Sequence, residues 1–203
     1  MKYYISDTHF YHVNAIRFDS RPWPDVSAMN AALIENWNSV IKKSDDVYVL
    51  GDFLWNKEDP DKILSKLTGH IFLIKGNHDR ITPALERRCV WIKDYAEVKD
   101  GTHRVLLCHY PMLFYRSSYD PNKVMLCGHL HNSHENELLD QWTKDLVYMH
   151  KAAQSDIACH NLNCGNIINV GCMLHDYKPQ TLGQLLEWHV ERIGITGKEV
   201  AHG

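Results

Sequence analysis

The residues best suited to chemistry are aspartates, histidines and one asparagine that come at or just after the ends of short apolar runs. The set is Asp7, His9, Asp52, Asn77, His109, His129 and His131. One such residue at a strand end is ordinarily a turn or surface residue. Five successive apolar runs that all end in this way are improbable by chance, and they indicate a shared site.

The types and the number of these side chains constrain what they could bind. Imidazole, carboxylate and amide donors without a thiolate suit divalent Mn, Fe, Zn or Ni better than a structural zinc. Seven donors exceed the needs of one tetrahedral ion. Two ions about 3.5–4 Å apart, bridged by one carboxylate, would use them all, and such a pair clamps the attacking and leaving oxygens of a phosphoryl displacement.

The elements that must position these residues are short buried strands separated by helices. Strands are predicted over 2–6, 46–50, 70–74, 103–108, 123–127 and 166–170. Apolar residues at helical spacing predict helices over 27–43, 58–67 and 135–154, and a helix or a strand pair over 181–193. This order predicts an α/β fold with a mixed sheet. Ligands in such folds lie beyond the carboxyl ends of the strands, so the seven side chains can converge.

Length and charge narrow the class of protein. A chain of 203 residues with 44% hydrophobic content fits one domain with a substantial core. The net charge of -3 gives no strong signal for nonspecific nucleic-acid binding. No apolar stretch approaches the ~20 residues that span a bilayer, and the chain enters a strand pattern at once, so we expect no membrane partner and a cytoplasmic location. No pattern defines an oligomeric state.

The six cysteines are too sparse for a small disulfide scaffold, and we expect buried free thiols. The segment CHNLNC offers Cys159, His160 and Cys164 as a weak alternative zinc site without a matching distal pair.

The motifs, taken in order, resemble those of the calcineurin-like metallophosphoesterases. They are DTH at 7–9, GD at 51–52, GNHD at 76–79, the histidine at 109 and GHLH at 128–131, with NVG at 169–171 as a weaker landmark. The opening ISDTHFYHVNAI and the later RPW resemble short single-domain bacterial and phage members. The resemblance implies a four-layer αββα sandwich with two mixed β-sheets, formed by one domain over 1–203. The segment 135–160 is either a helical lid or a helix packed on the core.

The resemblance also implies a role for each matching residue. Asp7, His9 and His131 would hold one metal ion, and Asn77, His109 and His129 a second, with Asp52 bridging the two. Manganese is the ion expected to support activity in vitro. His78, next to Asn77, would protonate the leaving oxygen or stabilise the phosphorane-like charge, and Asp79 would orient and charge its ring.

Substrate contacts are predicted less directly. His12 and Asn14 match an H-x-N pattern of the subgroup and would line the substrate pocket. Arg17, Arg21 and Arg80 could meet phosphate as bidentate forks. Weaker candidates are Tyr115, Arg116 and Tyr119 as a stacking surface for a base, and His175 with Asp176 near the site.

The function predicted from these residues is a dinuclear metal-dependent phosphoesterase. It would hydrolyse small phosphate mono- or diesters, with nucleotides among the candidates, by means of a metal-activated water. One alternative is a nuclease of the same superfamily, which would need a basic groove or an added DNA-binding domain. Another is a noncatalytic scaffold with this fold, which would be expected to lack part of the ligand set.

Overall fold

Two four-stranded sheets form the centre of the protein, whose computed structural model describes residues 1–55, 59–118, 120–152 and 166–194. The first sheet contains, in spatial order, β1 (Lys2–Ile5), β2 (Asp46–Leu50), β3 (His70–Ile74) and β4 (Cys89–Lys93). The second contains β5 (Tyr95–Asp100), β6 (His103–Cys108), β7 (Lys123–Cys127) and β8 (Ile167–Asn169).

Both sheets are mixed. The strands of the first sheet run parallel, and β1 adds an antiparallel bridge between Tyr4 and Gln180. In the second sheet β5 is antiparallel to β6, whereas β6, β7 and β8 run parallel. The parallel strands bring their carboxyl ends to one end of each sheet, which is where the candidate ligands follow.

Six α-helices are present in the described residues, and a 3-10 helix spans Cys172–Leu174. The α-helices are α1 (Val13–Phe18), α2 (Val26–Val40), α3 (Asp61–Leu64), α4 (Pro83–Arg88), α5 (His134–Ala152) and α6 (Leu182–Ile193). Asp25 caps α2 by accepting from the backbone N–H of Ala28. A capping box between Thr181 and Gln184 begins α6, so the ambiguous segment 181–193 is helical rather than a strand pair.

The alternation of side chains along each strand builds three apolar layers. On β2, Val49 points toward α2 and contacts the cluster that contains Trp37, whereas Leu50 points toward the second sheet. On β7, Leu126 faces the first sheet and Met125 packs in the cluster that contains Leu139 of α5. The fold is therefore an α/β sandwich of two mixed sheets flanked by helices, as predicted.

Some elements differ from the prediction. Strands β4 and β5 were not expected, and both lie at the edges of their sheets, where exposed residues interrupt the apolar run. Helices α1 and α4 were also not expected, because six residues carry less than two turns of periodicity. The predicted helix over 58–67 is shorter, and its described part spans Asp61–Leu64.

Helix α5 packs on the outer face of the second sheet through Leu139 and Trp142, and Asp140 pairs with Arg192 of α6. Residues 153–165 lie outside the described part of the chain, as does the candidate zinc segment with Cys159 and Cys164. A lid over 135–160, and the division of the chain into one domain, therefore stay predictions.

Two further expectations concern membranes and thiols. Within the described residues, none of the helices combines the length and apolarity needed to cross a bilayer. The four cysteines described are free thiols, and Cys127 is fully buried in the layer beneath α5.

Candidate metal centre

Four of the predicted ligands form a compact group where the two sheets meet. One donor atom each from Asp7, His9, Asp52 and His131 lies within 4.8 Å of the other three. The Nε2 atoms of His9 and His131 are 3.2 Å apart, and His131 Nε2 lies 3.6 Å from Asp7 Oδ1. Asp7 and His9 follow β1, Asp52 follows β2, and His131 follows β7.

The other three predicted ligands form a second group around the amide oxygen of Asn77. His109 Nε2 lies 2.9 Å and His129 Nδ1 lies 3.1 Å from Asn77 Oδ1. The other ring nitrogen of His109, Nδ1, is 2.8 Å from the carbonyl oxygen of Leu50. Because a carbonyl only accepts, Nδ1 donates to Leu50, and Nε2 is the ring nitrogen that faces the other donors of the group.

Asp52 lies between the two groups. Its Oδ2 atom is 3.7 Å from His9 Nε2 and 3.6 Å from His109 Nε2. Its Oδ1 atom accepts a hydrogen bond of 2.9 Å from the backbone N–H of His78. Oδ1 of Asp52 is thus held by a backbone hydrogen bond, and Oδ2 faces both groups of donors.

The backbone at these strand ends is unusual. Five of the predicted ligands have a positive φ: Asp7 (55°), His9 (50°), Asp52 (51°), His129 (69°) and His131 (49°). Residues with a Cβ seldom adopt this conformation, and it persists where surrounding contacts enforce it, often at functional sites.

Two glycines allow the chain to approach the ligands closely. Gly51 has φ +90°, and a Cβ there would overlap the ring of His109. A Cβ on Gly76 would overlap the carboxylate and backbone N of Asp52, while the φ of Gly76 is not positive. Gly76 is therefore required by this close approach rather than by a left-handed turn.

The donor chemistry fits divalent cations. Asp7 is fully buried, and burial raises the pKa of its carboxyl although Ser6 Oγ donates to it at 2.6 Å. Burial, followed by the neighbouring His131, lowers the pKa of His9 well below its ordinary value, which keeps that ring neutral. Buried carboxylates beside neutral imidazoles are what a divalent ion of the Mn to Zn series coordinates.

Sequence reasoning missed the group that orients His131. Asp19 Oδ1 lies 2.6 Å from His131 Nδ1, leaving Nε2 toward the other donors. Burial opposes the change, but this hydrogen bond, the charge on Asp7 and the charge on Asp19 raise the pKa of His131. Asp19 follows α1, and no local pattern relates it to a histidine 112 positions away.

Arg21 lies beneath Asp19 rather than in the substrate cavity. Its guanidinium donates to Asp19 Oδ2 at 2.9 and 2.7 Å, and to the backbone carbonyls of Asp7 and Thr8 at 2.9 and 2.8 Å. The side chain is buried, and these hydrogen bonds use the N–H groups of its guanidinium that would otherwise bind a phosphate. The expectation that Arg21 meets a phosphate is therefore replaced by a role in holding Asp19 and the turn at Asp7.

Replacing Asp19 with Asn should weaken Mn²⁺ binding. The exchange removes the carboxylate that fixes the ring of His131, and loss of such a partner typically costs roughly 10- to 100-fold in metal affinity. The measurement is a calorimetric titration of metal-stripped protein with Mn²⁺.

The matched control is Asp94→Asn, a mostly exposed carboxylate paired with Lys75 on the surface, which should bind Mn²⁺ as the unmodified protein does. Unchanged Mn²⁺ affinity in Asp19→Asn, with only a lower melting temperature, would reduce Asp19 to a structural residue.

The two predicted catalytic residues of the GNHD turn, His78 and Asp79, have different surroundings. The backbone N–H groups of Asp52, Phe53 and Gly76 each donate to the Asp79 carboxylate at 2.9 Å. Asp79 therefore holds the turn, and within the described residues it makes no hydrogen bond to the His78 ring, contrary to the expectation that it orients that ring. His78 is exposed, and its ring centroid lies 5.8 Å from that of His9.

The remaining candidates divide between one cavity and the outer surface. His9, His12, Asn14, His78 and His131 line a cavity of about 550 Å³ together with Asp19, Phe18 and Trp55, which were not predicted. Arg17 and Arg80 are exposed, and neither lines this cavity. Trp55 was detectable only as an aromatic residue three positions after Asp52.

The weaker candidates lie elsewhere. Tyr115 packs against the layer beneath α5, Arg116 is exposed, and Tyr119 lies outside the described residues. His175 is buried, with its Nε2 3.0 Å from the carbonyl oxygen of Asn169, and Asp176 is exposed.

The NVG landmark supports the turn at His131. Asn169 Nδ2 donates to the carbonyl of His131 and to Asn136 Oδ1, both at 2.9 Å, and its Oδ1 accepts from Gly171 N at 2.9 Å. Asn169 thus connects β8, α5 and the turn that carries His131.

The class that this fold and donor set define is also the one found by comparison of sequences. Residues 1–149 match the calcineurin-like phosphoesterase superfamily domain, so the chain belongs to the calcineurin-like phosphoesterase superfamily.

Two relatives without an assigned function are similar over much of the chain. An uncharacterized protein of Methanocaldococcus jannaschii is 35% identical over 138 residues, covering 66% of this chain and 72% of that protein. A crystal structure of a protein of unknown function from Aquifex aeolicus aligns with a TM-score of 0.66 and 27% identity, over 92% of this chain and 98% of that one.

Proposed function

We propose that this protein is a dinuclear metal-dependent phosphoesterase that hydrolyses small phosphate mono- or diesters. The observation that carries the proposal is the position of Asp52 Oδ2, 3.6–3.7 Å from a histidine nitrogen of each donor group. A carboxylate oxygen that faces two sets of imidazole, carboxylate and amide donors is the arrangement that binds a pair of divalent ions.

Asp7, His9 and His131 would hold one ion, Asn77, His109 and His129 the other, and Asp52 both. Mn²⁺ is the ion we expect to support activity in vitro, since imidazole and carboxylate donors suit it. When bound, two such ions supply an activated water and neutralise charge on the phosphoryl oxygens.

The chain's own residues would then orient the ester and move one proton. His78 lines the cavity beside the donor groups, and its backbone N–H is fixed on Asp52. A ring at this position can give its proton to the leaving oxygen, which lowers the barrier most when that oxygen is strongly basic. Asp79 contributes by holding the turn that presents His78.

The first test is hydrolysis of p-nitrophenyl phosphate and of bis-p-nitrophenyl phosphate by metal-stripped protein, before and after addition of Mn²⁺. We expect turnover only with Mn²⁺, and the preferred compound separates a phosphatase from a phosphodiesterase. Calorimetry should give two Mn²⁺ ions per chain.

The outcomes distinguish the proposal from its rivals. Binding of fewer than two Mn²⁺ ions per chain would contradict the dinuclear mechanism. A hydrolysis rate that does not change when Mn²⁺ is added would also contradict it. Absence of both Mn²⁺ binding and turnover would favour a noncatalytic scaffold with this fold.

A further inference from the structure

The cavity beside the donor groups has an aromatic wall. Its lining includes the proposed ligands His9 and His131, and further rings come from His12, Phe18, Trp55 and His78. A substituent on a phosphate held at the donor groups would therefore extend along these rings. Concave sites lined by aromatic side chains with a few polar groups are typical of small-molecule binding.

His12 and Trp55 form a flat stacked pair in this wall. Their ring centroids are 3.9 Å apart and their planes differ by 4°. The His12 ring lies 5.3 Å from the ring of His9, which connects the pair to the metal-ligand group.

His12 is placed in the wall by ring contacts rather than by polar ones. The side chain is only 9% exposed, and its Nδ1 atom is buried without a hydrogen-bond partner. Among the described residues, no hydrogen bond to the His12 ring is present. Because no hydrogen bond from the described part of the chain fixes the ring, its contacts with the neighbouring rings of Trp55, His9 and Phe18 define its position in the wall.

Phe18 continues the wall toward solvent. Its ring lies 6.3 Å from that of His12, edge to face, and the residue is 64% exposed. A single exposed aromatic residue is ordinary on a surface. At the edge of a cavity that already contains a stacked pair, however, this largely exposed ring can stack with another flat ring, and the Arg17 guanidinium already lies over it at 5.3 Å from the ring centroid.

Polar side chains complete the cavity. Asn14 is exposed on α1, and Asn132 and Ser133 lie beside His131. These amide and hydroxyl groups can pair with ring or sugar heteroatoms, whereas an alkyl substituent would leave them unpaired. The combination of a flat face and hydrogen-bonding heteroatoms is a property of nucleosides.

We propose that this cavity binds the base of a mononucleotide, stacked on Phe18 and the His12–Trp55 pair, while its phosphate lies at the donor groups. The inference rests on the proposed function, because the donor groups must take the phosphate. It narrows the substrate from any small phosphate ester to a nucleotide.

The test compares ligands that differ only in the base. AMP and ribose 5-phosphate carry the same phosphate and sugar, and their dissociation constants are measured by calorimetry on the Mn²⁺-loaded protein. Stacking of a base on an aromatic side chain predicts that AMP binds about 10-fold more tightly than ribose 5-phosphate.

Two matched variants locate the effect. Phe18→Leu keeps an apolar side chain but removes the aromatic face, and it should remove most of the AMP advantage while ribose 5-phosphate binding stays the same. Phe114→Leu is the control, because Phe114 is 80% exposed and lies outside the cavity lining. It should leave both constants unchanged.

Each other outcome has a definite meaning. If AMP and ribose 5-phosphate bound equally tightly, and both only in the presence of Mn²⁺, the proposal that the cavity binds a base would be wrong. The phosphoesterase proposal would be unaffected. If AMP lost its tighter binding relative to ribose 5-phosphate in Phe114→Leu but kept it in Phe18→Leu, the base would bind at the loop near Tyr115, and the proposed cavity site would be wrong. Binding of neither ligand, together with no hydrolysis of the p-nitrophenyl esters, would overturn the proposed function itself. A single-stranded oligonucleotide that bound far more tightly than AMP would exclude a mononucleotide as the intended ligand.

Discussion

Asp52→Asn should lose roughly 10³-fold or more in Mn²⁺-dependent turnover, because metal-assisted charge stabilisation contributes several kcal/mol to such reactions. The variant keeps an acceptor at Oδ1 for the His78 N–H but loses the negative charge between His9 and His109. We therefore expect a folded protein that binds fewer than two Mn²⁺ ions. The measurements are metal content after dialysis and kcat for bis-p-nitrophenyl phosphate.

Asp46→Asn is the matched control, since Asp46 begins the same strand that Asp52 follows and its nearest ionic partner is His70. It should retain both ions and full turnover. If Asp52→Asn also retained two ions and turned over normally, the bridging role would belong to another residue.

His78→Ala should slow different esters to very different extents. General acid catalysis is typically worth roughly 10²- to 10⁴-fold, and it matters most when the leaving oxygen is basic. We therefore expect a loss in this range for an alkyl phosphate ester and a small loss for a p-nitrophenyl ester. Mn²⁺ content should not change, because the contact of residue 78 with Asp52 is made by the backbone.

The control is His70→Ala, an exposed histidine at the start of β3, the strand that the GNHD turn follows. It should leave both rates as they are. Equal slowing of the alkyl and p-nitrophenyl esters by His78→Ala would exclude the acid role and indicate that the ring contributes to binding instead.

The fold was predictable where the apolar signal is continuous. Strands β2, β3, β6 and β7 have the predicted bounds because each is a buried apolar run between polar turns. Strand β5 was missed although Ala96 and Val98 alternate with Glu97 and Lys99, which is the pattern of a strand with one exposed face. Such alternation over only six residues is a weaker sign of a strand than the continuous apolar runs on either side of it.

The part of the candidate site that follows from the order of strands along the chain was predictable. Each of the seven proposed ligands lies within about four residues after the end of a strand, and parallel strands deliver their ends to one place. The contact between Asp19 and His131 could not be predicted, because it joins the end of a short helix to a turn after β7. Nor could the hydrogen bonds that Asp79 accepts from the backbone N–H groups of Asp52 and Phe53, because that pairing exists only once the turns after β2 and β3 are adjacent.

The pairing of the first strand with residues far along the chain constrains when the site can be completed during synthesis. The Ser6 N–H donates to the carbonyl of Val170 and the Cys172 N–H to that of Ser6, while Tyr4 exchanges hydrogen bonds with Gln180. A nascent chain that has just passed His131 already carries all seven proposed ligands but none of these contacts. The ribosome must therefore add about 40 further residues before the contacts of Ser6 can form, and about 50 before Tyr4 can pair with Gln180. High-affinity metal loading would accordingly be a late event in the maturation of this protein, following synthesis of the segment that reaches Gln180.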